Sequence, residues 1–294
     1  VSRAAIWKHI EALREEGFSI SSGESGYRVT AVPDYGANAI EFGLDIGVKV
    51  EYHTALDSTN ARARELATDG VDEVVVVAER QTGGRGRLDR QWTSPPGGVY
   101  LSLLCRPNLP VAQAPIYTMA AAVATTRSAR AVGVDAGIKW PNDVLVGPSE
   151  QKLSGILTEM EGEADRISWI IVGIGVNANV SPTKLPEGAT SLQEQIGQVN
   201  RAAFVQTLLS EFETLRSAPE TVLTAWREQA LTLDQQVRIE TPSGVVEGKA
   251  VEVAFPGTLL VKTEGEEIRV SAGDCEHLRP VDGALLLGLG YRRR

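Results

Sequence analysis

The sequence predicts an α+β protein built from three blocks, and this prediction is based on the pattern of hydrophobic residues. Apolar strands and amphipathic helices are mixed along residues 37–230 without strict strand–helix–strand alternation, which favours a mixed sheet over a doubly wound one. Residues 231–282 contain only short β-like segments separated by turn signals, which is typical of a small barrel. At 294 residues, the chain is long enough for two domains and a small third.

The first block, residues 1–32, predicts a helix followed by a β-hairpin. Apolar residues recur near helical spacing after Ser2, which can cap the helix, and Gly17 ends it. This order is the back half of a winged helix-turn-helix, in which a basic helix enters the DNA major groove. An equally good interpretation of this block is a helix and a hairpin that only pack against the next domain.

The other elements follow from periodicity and turn residues. In the second block the predicted strands are 74–79, 100–105 and 169–172, and the predicted helices are 58–68, 115–132, 201–215 and 220–229. In the third block the predicted strands are 236–240, 245–253, 259–262 and 267–271. Pro33, Asp34 and Gly36 predict a linker after the first block, and residues 283–294 belong to no block.

Composition excludes several classes of function. The net charge of −9 argues against binding nucleic acid through the overall field, although a local basic patch can still do so. Two cysteines and three histidines are too few for a disulfide scaffold or a Cys/His zinc site, and they fit a reducing cytoplasm. Without an apolar run of membrane-spanning length or a secretory signal, we expect a cytoplasmic protein with no membrane partner.

A segment of glycines and arginines is the most informative part of the sequence. Residues 83–87 read Gly-Gly-Arg-Gly-Arg, which leaves almost no side chain to pack against a core. Glycines let backbone N–H groups approach an anion closely, and the arginines add fixed positive charge. The segment suits a phosphate- or carboxylate-binding loop, or a lid that becomes ordered on ligand binding; an exposed flexible loop is the alternative. Its spacing fits neither a P-loop nor a Rossmann fingerprint.

Three further clusters are candidates for chemistry. They are Asp57-Ser58-Thr59-Asn60, Lys139-Trp140-Pro141-Asn142-Asp143 followed by Lys152, and Gly173-Ile174-Gly175-Val176-Asn177. The first opens a helix, whose free N–H groups can bind an anion, and glycines within a strand mark the close approach of a ligand or another backbone. Each cluster also has an ordinary interpretation, as a helix cap, a turn with a solvated lysine, or a bulge.

Taken together and in this order, these motifs resemble biotin protein ligases, of the bifunctional type that also represses biotin genes. The resemblance covers about residues 1–280 and is most specific in the glycine–arginine loop combined with Lys-Trp-Pro-Asn-Asp. It implies a mixed-sheet catalytic domain of the class II aminoacyl-tRNA synthetase type, a partial winged helix before it and an SH3-like barrel after it. It also implies biotin and ATP as substrates, Mg²⁺ as the partner of ATP, and a biotin carboxyl carrier domain of a carboxylase as acceptor. For regulatory members of the family, the resemblance further implies that the protein forms a homodimer and binds operator DNA.

By matching positions, the resemblance implies roles for individual residues. Those expected to bind biotin or its adenylate are Ser58, Thr59, Asn60, Gln81, Gly84, Arg85, Gly86, Arg87, Trp92, Lys152 and Gly155. Those expected on the nucleotide side are Lys139, Asn142, Gly175 and Asn177, and the DNA contacts are Ser2, Arg3, Lys8 and His9. Arg87 and Lys152 would stabilise charge at the biotin carboxylate and the α-phosphate, and Asp143 would orient the acceptor lysine. Neither an enzyme nucleophile nor a metal ligand is expected among the side chains.

The chain departs from the family pattern in three places. The family's helices before the recognition helix have no counterpart in the sequence given, which means either that this sequence starts late or that the DNA-binding unit is incomplete. Asp89 places a negative charge in the glycine–arginine loop, and residues 283–294 have no counterpart in the family. Two other functions fit the same scaffold: a regulator that only senses biotinyl-adenylate, and a lipoate or octanoate ligase. The first needs a complete winged helix, whereas the second needs a pocket without partners for a ureido ring. The polar residues Ser58, Thr59 and Gln81 favour a ureido-bearing ligand.

Overall fold

The computed structural model describes residues 2–23, 26–163 and 165–278, and it confirms the α+β prediction. The helices are α1 (Arg3–Glu15), α2 (Ala37–Glu41), α3 (Thr59–Thr68), α4 (Pro115–Ala131), α5 (Leu192–Ile196), α6 (Arg201–Ser217) and α7 (Pro219–Arg227). The strands are β1 (Ser19–Gly23), β2 (Gly26–Ala31), β3 (Val50–His53), β4 (Val74–Ala78), β5 (Val99–Cys105), β6 (Ala136–Lys139), β7 (Asp143–Val146), β8 (Gln151–Glu163), β9 (Arg166–Val176), β10 (Gln236–Thr241), β11 (Gly244–Ala254), β12 (Thr258–Lys262), β13 (Glu267–Val270) and β14 (Asp274–His277).

The first block is the predicted helix and hairpin. The Ser2 hydroxyl accepts a hydrogen bond from the Ala5 N–H at 3.2 Å, which caps α1, and Gly17 follows the helix with a φ of +96°. Strands β1 and β2 pair antiparallel. Phe18 and Ile20 are buried in the main core, so the hairpin packs against the rest of the protein.

A seven-stranded mixed sheet forms the middle of the molecule, in the order β3-β4-β5-β9-β8-β7-β6. Only the β3–β4 pair is parallel. Alternate residues of β4 face opposite sides: Val75 and Val77 join the core beneath α4, α6 and α7, whereas Val74 and Val76 pack against α3. Burial on both faces explains the continuous apolar sequence of β4. Helix α3 lies on the face of the sheet that carries the candidate site.

The last block is a five-stranded antiparallel sheet in the order β13-β12-β11-β10-β14. Its inward residues, such as Val237, Ile239 and Val261, belong to the same core as the large sheet, so the two packed units share one hydrophobic interior. Strand β14 is absent from the sequence prediction because Asp-Cys-Glu-His carries little apolar alternation. The predicted end of this block, residues 279–282, and the predicted tail, residues 283–294, lie outside the described residues.

Several predicted boundaries need correction. The strand predicted at 169–172 is the middle of the longer β9, and Lys152 lies within β8 rather than before a strand. Helix α2 and strand β3 were not predicted. The predicted linker is fixed in place: Arg201 donates to the Asp34 carboxylate at 2.6 Å, and the Asp34 carbonyl accepts from Ala202 at 2.8 Å.

No helix in the described ranges is both long enough and apolar enough to cross a membrane.

Candidate active site

A cleft opens on the α3 side of the large sheet. Its floor is formed by β8 and β9, one end by the start of α3, its cover by residues 83–91, which we call the flap, and its far wall by β14. Most of the predicted site residues line this cleft. They are Ser58, Thr59, Asn60, Gln81, Arg85, Gly86, Arg87, Trp92, Asn142, Asp143, Lys152, Gly155 and Gly175.

The start of α3 supplies a buried polar pocket. Ser58 caps the helix by accepting from the Ala61 N–H at 3.5 Å, and Ser58, Thr59 and Asn60 are each only 4% exposed. The Thr59 N–H donates to Oε1 of Gln81 at 2.8 Å. The Gln81 amide nitrogen in turn donates to the Ser94 hydroxyl at 2.9 Å. A neutral pocket of this kind orients a polar ligand through hydrogen bonds.

Two residues that the sequence analysis missed complete this pocket. Ser102 on β5 lies 2.7 Å from the Thr59 hydroxyl and 2.6 Å from Oδ1 of Asn60. Glu159 on β8 accepts from Nδ2 of Asn60 at 2.9 Å. Ser102 is a hydroxyl residue within the otherwise apolar strand Val-Tyr-Leu-Ser-Leu-Leu-Cys, and this signal could have been noticed. Glu159 gives no comparable signal, because polar and apolar residues alternate around it.

The flap is a small hairpin. Its tip is a turn in which Leu88 and Asp89 have φ values of 54° and 58°, closed by the bond from Arg90 N–H to the Arg87 carbonyl at 3.2 Å. The Gly86 N–H donates to the Arg90 carbonyl at 2.7 Å. Asp89 therefore occupies a left-handed position that aspartate tolerates better than most residues, which gives it a local structural role.

Each arginine of the flap contacts a different wall of the cleft. Arg87 donates to Oδ1 of Asn142 at 3.0 Å, Arg90 forms a two-point ion pair with Asp274 of β14, and Arg85 approaches Glu159 at 4.0 Å. Burial lowers the pKa of Arg87, and the carboxylates of Asp143 and Asp274 oppose that shift. The hydrogen bond to Asp274 raises the pKa of Arg90. The flap thus joins the large sheet to the last block.

The turn between β6 and β7 brings the polar residues Asn142 and Asp143 into the lining of the cleft. Nδ2 of Asn142 donates to the Ile156 carbonyl at 2.8 Å. Asp143 pairs with Lys152 at 2.8 Å, and the Lys152 ammonium lies 5.6 Å from the centre of the Trp92 ring. The Trp140–Pro141 peptide bond is cis, and the Trp140 N–H donates to the Thr232 hydroxyl at 2.9 Å.

Glycines in β8 and β9 make room for side chains that lie flat on the sheet. A Cβ at Gly175 would lie 2.4 Å from Nε1 of Trp92, and one at Gly155 would lie 3.2 Å from the same ring. A Cβ at Gly173 would lie 2.1 Å from Oδ1 of Asn60. The sequence predicted that a ligand or another backbone approaches Gly173 and Gly175; in the structure the side chains of Asn60 and Trp92 do so instead.

Three predicted site residues lie away from the cleft lining. Gly84 permits close packing of the chain, because a Cβ there would lie 2.4 Å from the Trp92 carbonyl. Asn177 is buried and donates to the Thr190 carbonyl at 3.0 Å, which fastens the loop after β9. Lys139 lies near Cys275; burial raises the pKa of that thiol to about 12, and Lys139 opposes the shift. The predicted DNA contacts Ser2, Arg3, Lys8 and His9 are exposed on α1 or at its cap.

These features define an enzyme of the carboxylic-acid-activating ligase type, and comparison with known proteins agrees. Residues 54–177 match the Biotin/lipoate A/B protein ligase family, and residues 232–278 match the Biotin protein ligase C terminal domain. The chain is 38% identical over 295 residues to the bifunctional ligase/repressor BirA of Bacillus subtilis, covering 94% of this chain and 90% of that protein. It is 34% identical over 236 residues to the biotin–[acetyl-CoA-carboxylase] ligase of Mycobacterium tuberculosis, covering 76% and 86%. The chain belongs to the biotin protein ligase family.

A solved structure supports the same assignment. The biotin protein ligase of Aquifex aeolicus in complex with biotin and ATP superimposes with a TM-score of 0.65 at 27% identity. The match covers 78% of this chain and 98% of that one.

Proposed function

We propose that this protein is an ATP-dependent ligase that activates biotin as biotinyl-5′-AMP and transfers it to a lysine of a biotin carboxyl carrier domain. The observation that carries the proposal is a single cleft with two chemically different ends. One end is the neutral pocket at Thr59 and Gln81, and the other holds the cations Arg87 and Lys152. The names of the relatives and the ligands of the Aquifex structure support these substrates.

The neutral end suits the ureido ring of biotin. Ser58, Thr59 and Gln81 bring hydroxyl and amide groups to a site that is otherwise walled by apolar residues such as Leu101 and Ile174. A ureido ring carries both N–H donors and a carbonyl acceptor, so it can satisfy such groups when they are shielded from water. Lipoate and octanoate present sulfur or alkyl groups there, which form no comparable hydrogen bonds with these hydroxyl and amide groups.

The cationic end suits the reacting groups of the first step. The biotin carboxylate must approach the α-phosphate of ATP, and two anions repel each other. Arg87 on the flap and Lys152 on β8 both line the cleft, so they can stabilise the charge that builds up between the reactants. The biotin carboxylate oxygen bonds to the α-phosphorus and pyrophosphate leaves, a reaction that needs positioning rather than an enzyme nucleophile.

We assign Asp143 to the second step. A free lysine has a pKa of ~10.4, so most acceptor lysine enters protonated and must be oriented and relieved of a proton. Asp143 pairs with Lys152 at 2.8 Å, and Lys152 can turn toward the bound acyl phosphate. The freed carboxylate would then hold the acceptor ammonium. After one proton passes from the ammonium to this carboxylate or to water, the neutral amine bonds to the acyl carbon and AMP leaves.

Magnesium enters as the partner of the ATP phosphates. The carboxylates of Asp143 and Asp274 line the cleft, and each pairs with a cation. Within the described ranges, His, Cys, Asp and Glu form no cluster of three that would hold a metal ion unaided. Because both carboxylates are already paired with cations, we expect phosphate oxygens and water to supply the ligands of the ion.

An open, mainly apolar groove adjoins the cleft at Arg87 and gives the carrier a route to the adenylate. It is lined by the start of α4, by Met160 on β8, and by Gly257 of the last block. The family resemblance also implies a homodimer formed through the large sheet.

The decisive experiment is incubation with ATP, Mg²⁺ and biotin, followed by mass spectrometry for biotinyl-5′-AMP. A parallel sample with lipoate tests the alternative substrate. We expect the biotin adenylate, and a mass increase of the carrier domain once it is added. An adenylate formed from lipoate but not from biotin would refute the proposal.

A second function, biotin-responsive repression of transcription, is favoured by the first block. An exposed basic helix is followed by a hairpin, and the relatives include proteins named bifunctional ligase/repressor. Selection from a random duplex library, with and without biotin and ATP, tests it. Enrichment of a palindromic sequence that is lost in Arg3→Ala/Lys8→Ala supports this function, and the absence of enrichment contradicts it.

A further inference from the structure

One long loop carries both the flap and part of the neutral pocket. This loop, residues 79–98, connects β4 to β5. Its two arms are joined at Gln81, whose backbone N–H donates to the Ser94 carbonyl at 3.2 Å and whose amide nitrogen donates to the Ser94 hydroxyl at 2.9 Å. The flap is the tip of the loop, beyond this pair. The positions of Gln81 and of the flap therefore depend on how the arms are held where they leave the sheet.

A buried arginine at the start of α6 closes the base of this loop. Nη1 of Arg201 lies 3.0 Å from each carboxylate oxygen of Glu79 and donates to the Gly98 carbonyl at 3.2 Å. Oε1 of Glu79 also accepts from the Gly97 N–H at 3.0 Å. Glu79 is the first residue of one arm, and Gly97 and Gly98 end the other. These contacts therefore tie the arms together beyond the end of the backbone pairing of β4 with β5.

The contacts at the base are shielded from water. Arg201 is 8% exposed, and its guanidinium carbon lies 4.3 Å from the centre of the Tyr35 ring. Burial lowers the pKa of Arg201, but hydrogen bonds to Glu79 and Asp34 outweigh that effect and raise it, so the arginine stays charged. Charge-assisted hydrogen bonds are stronger in such surroundings than at an exposed surface. The base is therefore held more firmly than the exposed ion pair at the tip of the loop.

Asp34 binds the same arginine and supplies a matched comparison. Its carboxylate accepts from Nε of Arg201 at 2.6 Å and from the backbone N–H of Arg201 at 2.9 Å. Asp34 and Glu79 thus have the same chemistry, because each carboxylate holds the guanidinium and one backbone N–H. They differ in what they fasten, since Asp34 belongs to the linker after the first block and Glu79 to the loop.

We propose that Glu79 and Arg201 are positioning residues, which keep the base of the 79–98 loop closed and so place Gln81 for biotin. The inference rests on the proposed function and extends it to the support of the biotin pocket. Glu79 precedes Gln81 by two residues, and Gly97 follows Ser94 by three, so a separation of the arms at the base passes directly to this pair.

The consequence for binding follows from the contact between Gln81 and Thr59. Oε1 of Gln81 accepts from the Thr59 N–H at 2.8 Å, which holds the start of α3 and the loop in one pocket. When the base opens, Gln81 moves away and the pocket is incomplete. Only molecules with a closed base then bind biotin, and the apparent affinity falls in proportion to their fraction.

The first experiment compares biotin binding and thermal unfolding in E79Q and D34N. Each variant replaces one carboxylate on Arg201 by an amide of the same shape. We expect E79Q to bind biotin about 10-fold more weakly in calorimetry, the effect of one weakened hydrogen bond to a charged group. D34N should bind biotin like the wild type, although the thermal midpoint should fall in both variants. R201K keeps the charge but not the planar group that reaches several acceptors, so it should behave like E79Q.

The second experiment measures the closure of the loop directly. The loop contains four sites for trypsin, at Arg80, Arg85, Arg87 and Arg90. Brief digestion of the biotin-free protein, followed by mass spectrometry of the peptides, gives the rate of cleavage at these sites. We expect faster cleavage within the loop in E79Q than in the wild type or D34N, because a loop is cleaved when it opens locally.

Wild-type biotin affinity in E79Q would overturn the proposal. Equal weakening in E79Q and D34N would also overturn it, because the effect would then come from general destabilisation around Arg201. Cleavage that is no faster within the loop of E79Q than in D34N would count against it in the same way. A wild-type protein that binds no biotin would refute the proposed function itself, and the digestion would then still show whether Glu79 keeps the loop closed.

Discussion

Gly175→Ala should damage the site by displacing Trp92. A Cβ at this position would lie 2.4 Å from Nε1 and 2.6 Å from Cε2 of the indole, whereas non-bonded contacts of this kind settle near about 3.5 Å. The ring must therefore retreat by roughly 1 Å. Overpacking of this kind costs about 1–3 kcal/mol of stability. Since the backbone N–H of Trp92 donates to the Gly84 carbonyl at 2.9 Å, a shift of Trp92 is passed on to the base of the flap. A displacement of that size at a reacting centre lowers the rate about 100-fold.

Urea unfolding and the rate of biotinyl-5′-AMP formation measure the two effects. Gly265→Ala is the matched control, because a Cβ at Gly265 meets nothing within 4 Å and the residue lies in a turn of the last block. We expect the control to retain the wild-type rate and stability to within about 0.5 kcal/mol. If Gly175→Ala matches Gly265→Ala in both the free energy of unfolding and the rate, then the packing of Trp92 on β9 is not what holds the site in place.

Three further variants test the chemistry. Arg87→Gly should release biotinyl-5′-AMP, because it removes the half-buried cation that donates to Asn142. Retention of adenylate on a desalting column equal to that of the wild type would contradict this role. Asp143→Asn should slow transfer to the carrier more than adenylate formation, since its carboxylate is assigned to the acceptor lysine; the opposite pattern, with normal transfer from preformed adenylate, would show the assignment to be wrong. Arg90→Ala, Asp274→Ala and the double variant should give a coupling energy below about 1 kcal/mol in urea unfolding, decreasing with salt, because this pair is largely exposed. A coupling of several kcal/mol would contradict that estimate.

Elements with strong local signals could be predicted from the sequence. Helix α4 begins at Pro115 and ends at Ala131, within one residue of the prediction, because proline favours a first helical turn and the apolar run is long. Strands β4 and β5 were also predicted closely, since their residues are apolar and buried on both faces. The short elements α2 and β3 lack such patterns and depend on their tertiary contacts.

Only the site residues that stand in recognisable motifs could be predicted from the sequence. Thr59, Gln81, Arg87 and Lys152 stand in recognisable segments, and the fold brings them to one cleft. Lys139 begins such a segment but lies outside the cleft lining, because only Asn142 and Asp143 of the β6–β7 hairpin line the cleft.

Contacts between distant segments could not be predicted in the same way. The bond between Glu159 and Asn60 joins residues 99 positions apart, and the contact of Trp92 with Gly175 depends on how the flap lies on the sheet. No local pattern in the sequence encodes either of them.

A crystal structure of the protein with biotinyl-5′-AMP tests the whole account most directly. We predict the ureido ring against Thr59 and Gln81, with an N–H pointing at the Thr59 hydroxyl, and the phosphate between Arg87 and Lys152. An adenylate bound in the reverse direction, or a flap turned outward with Arg87 far from the phosphate, would contradict it.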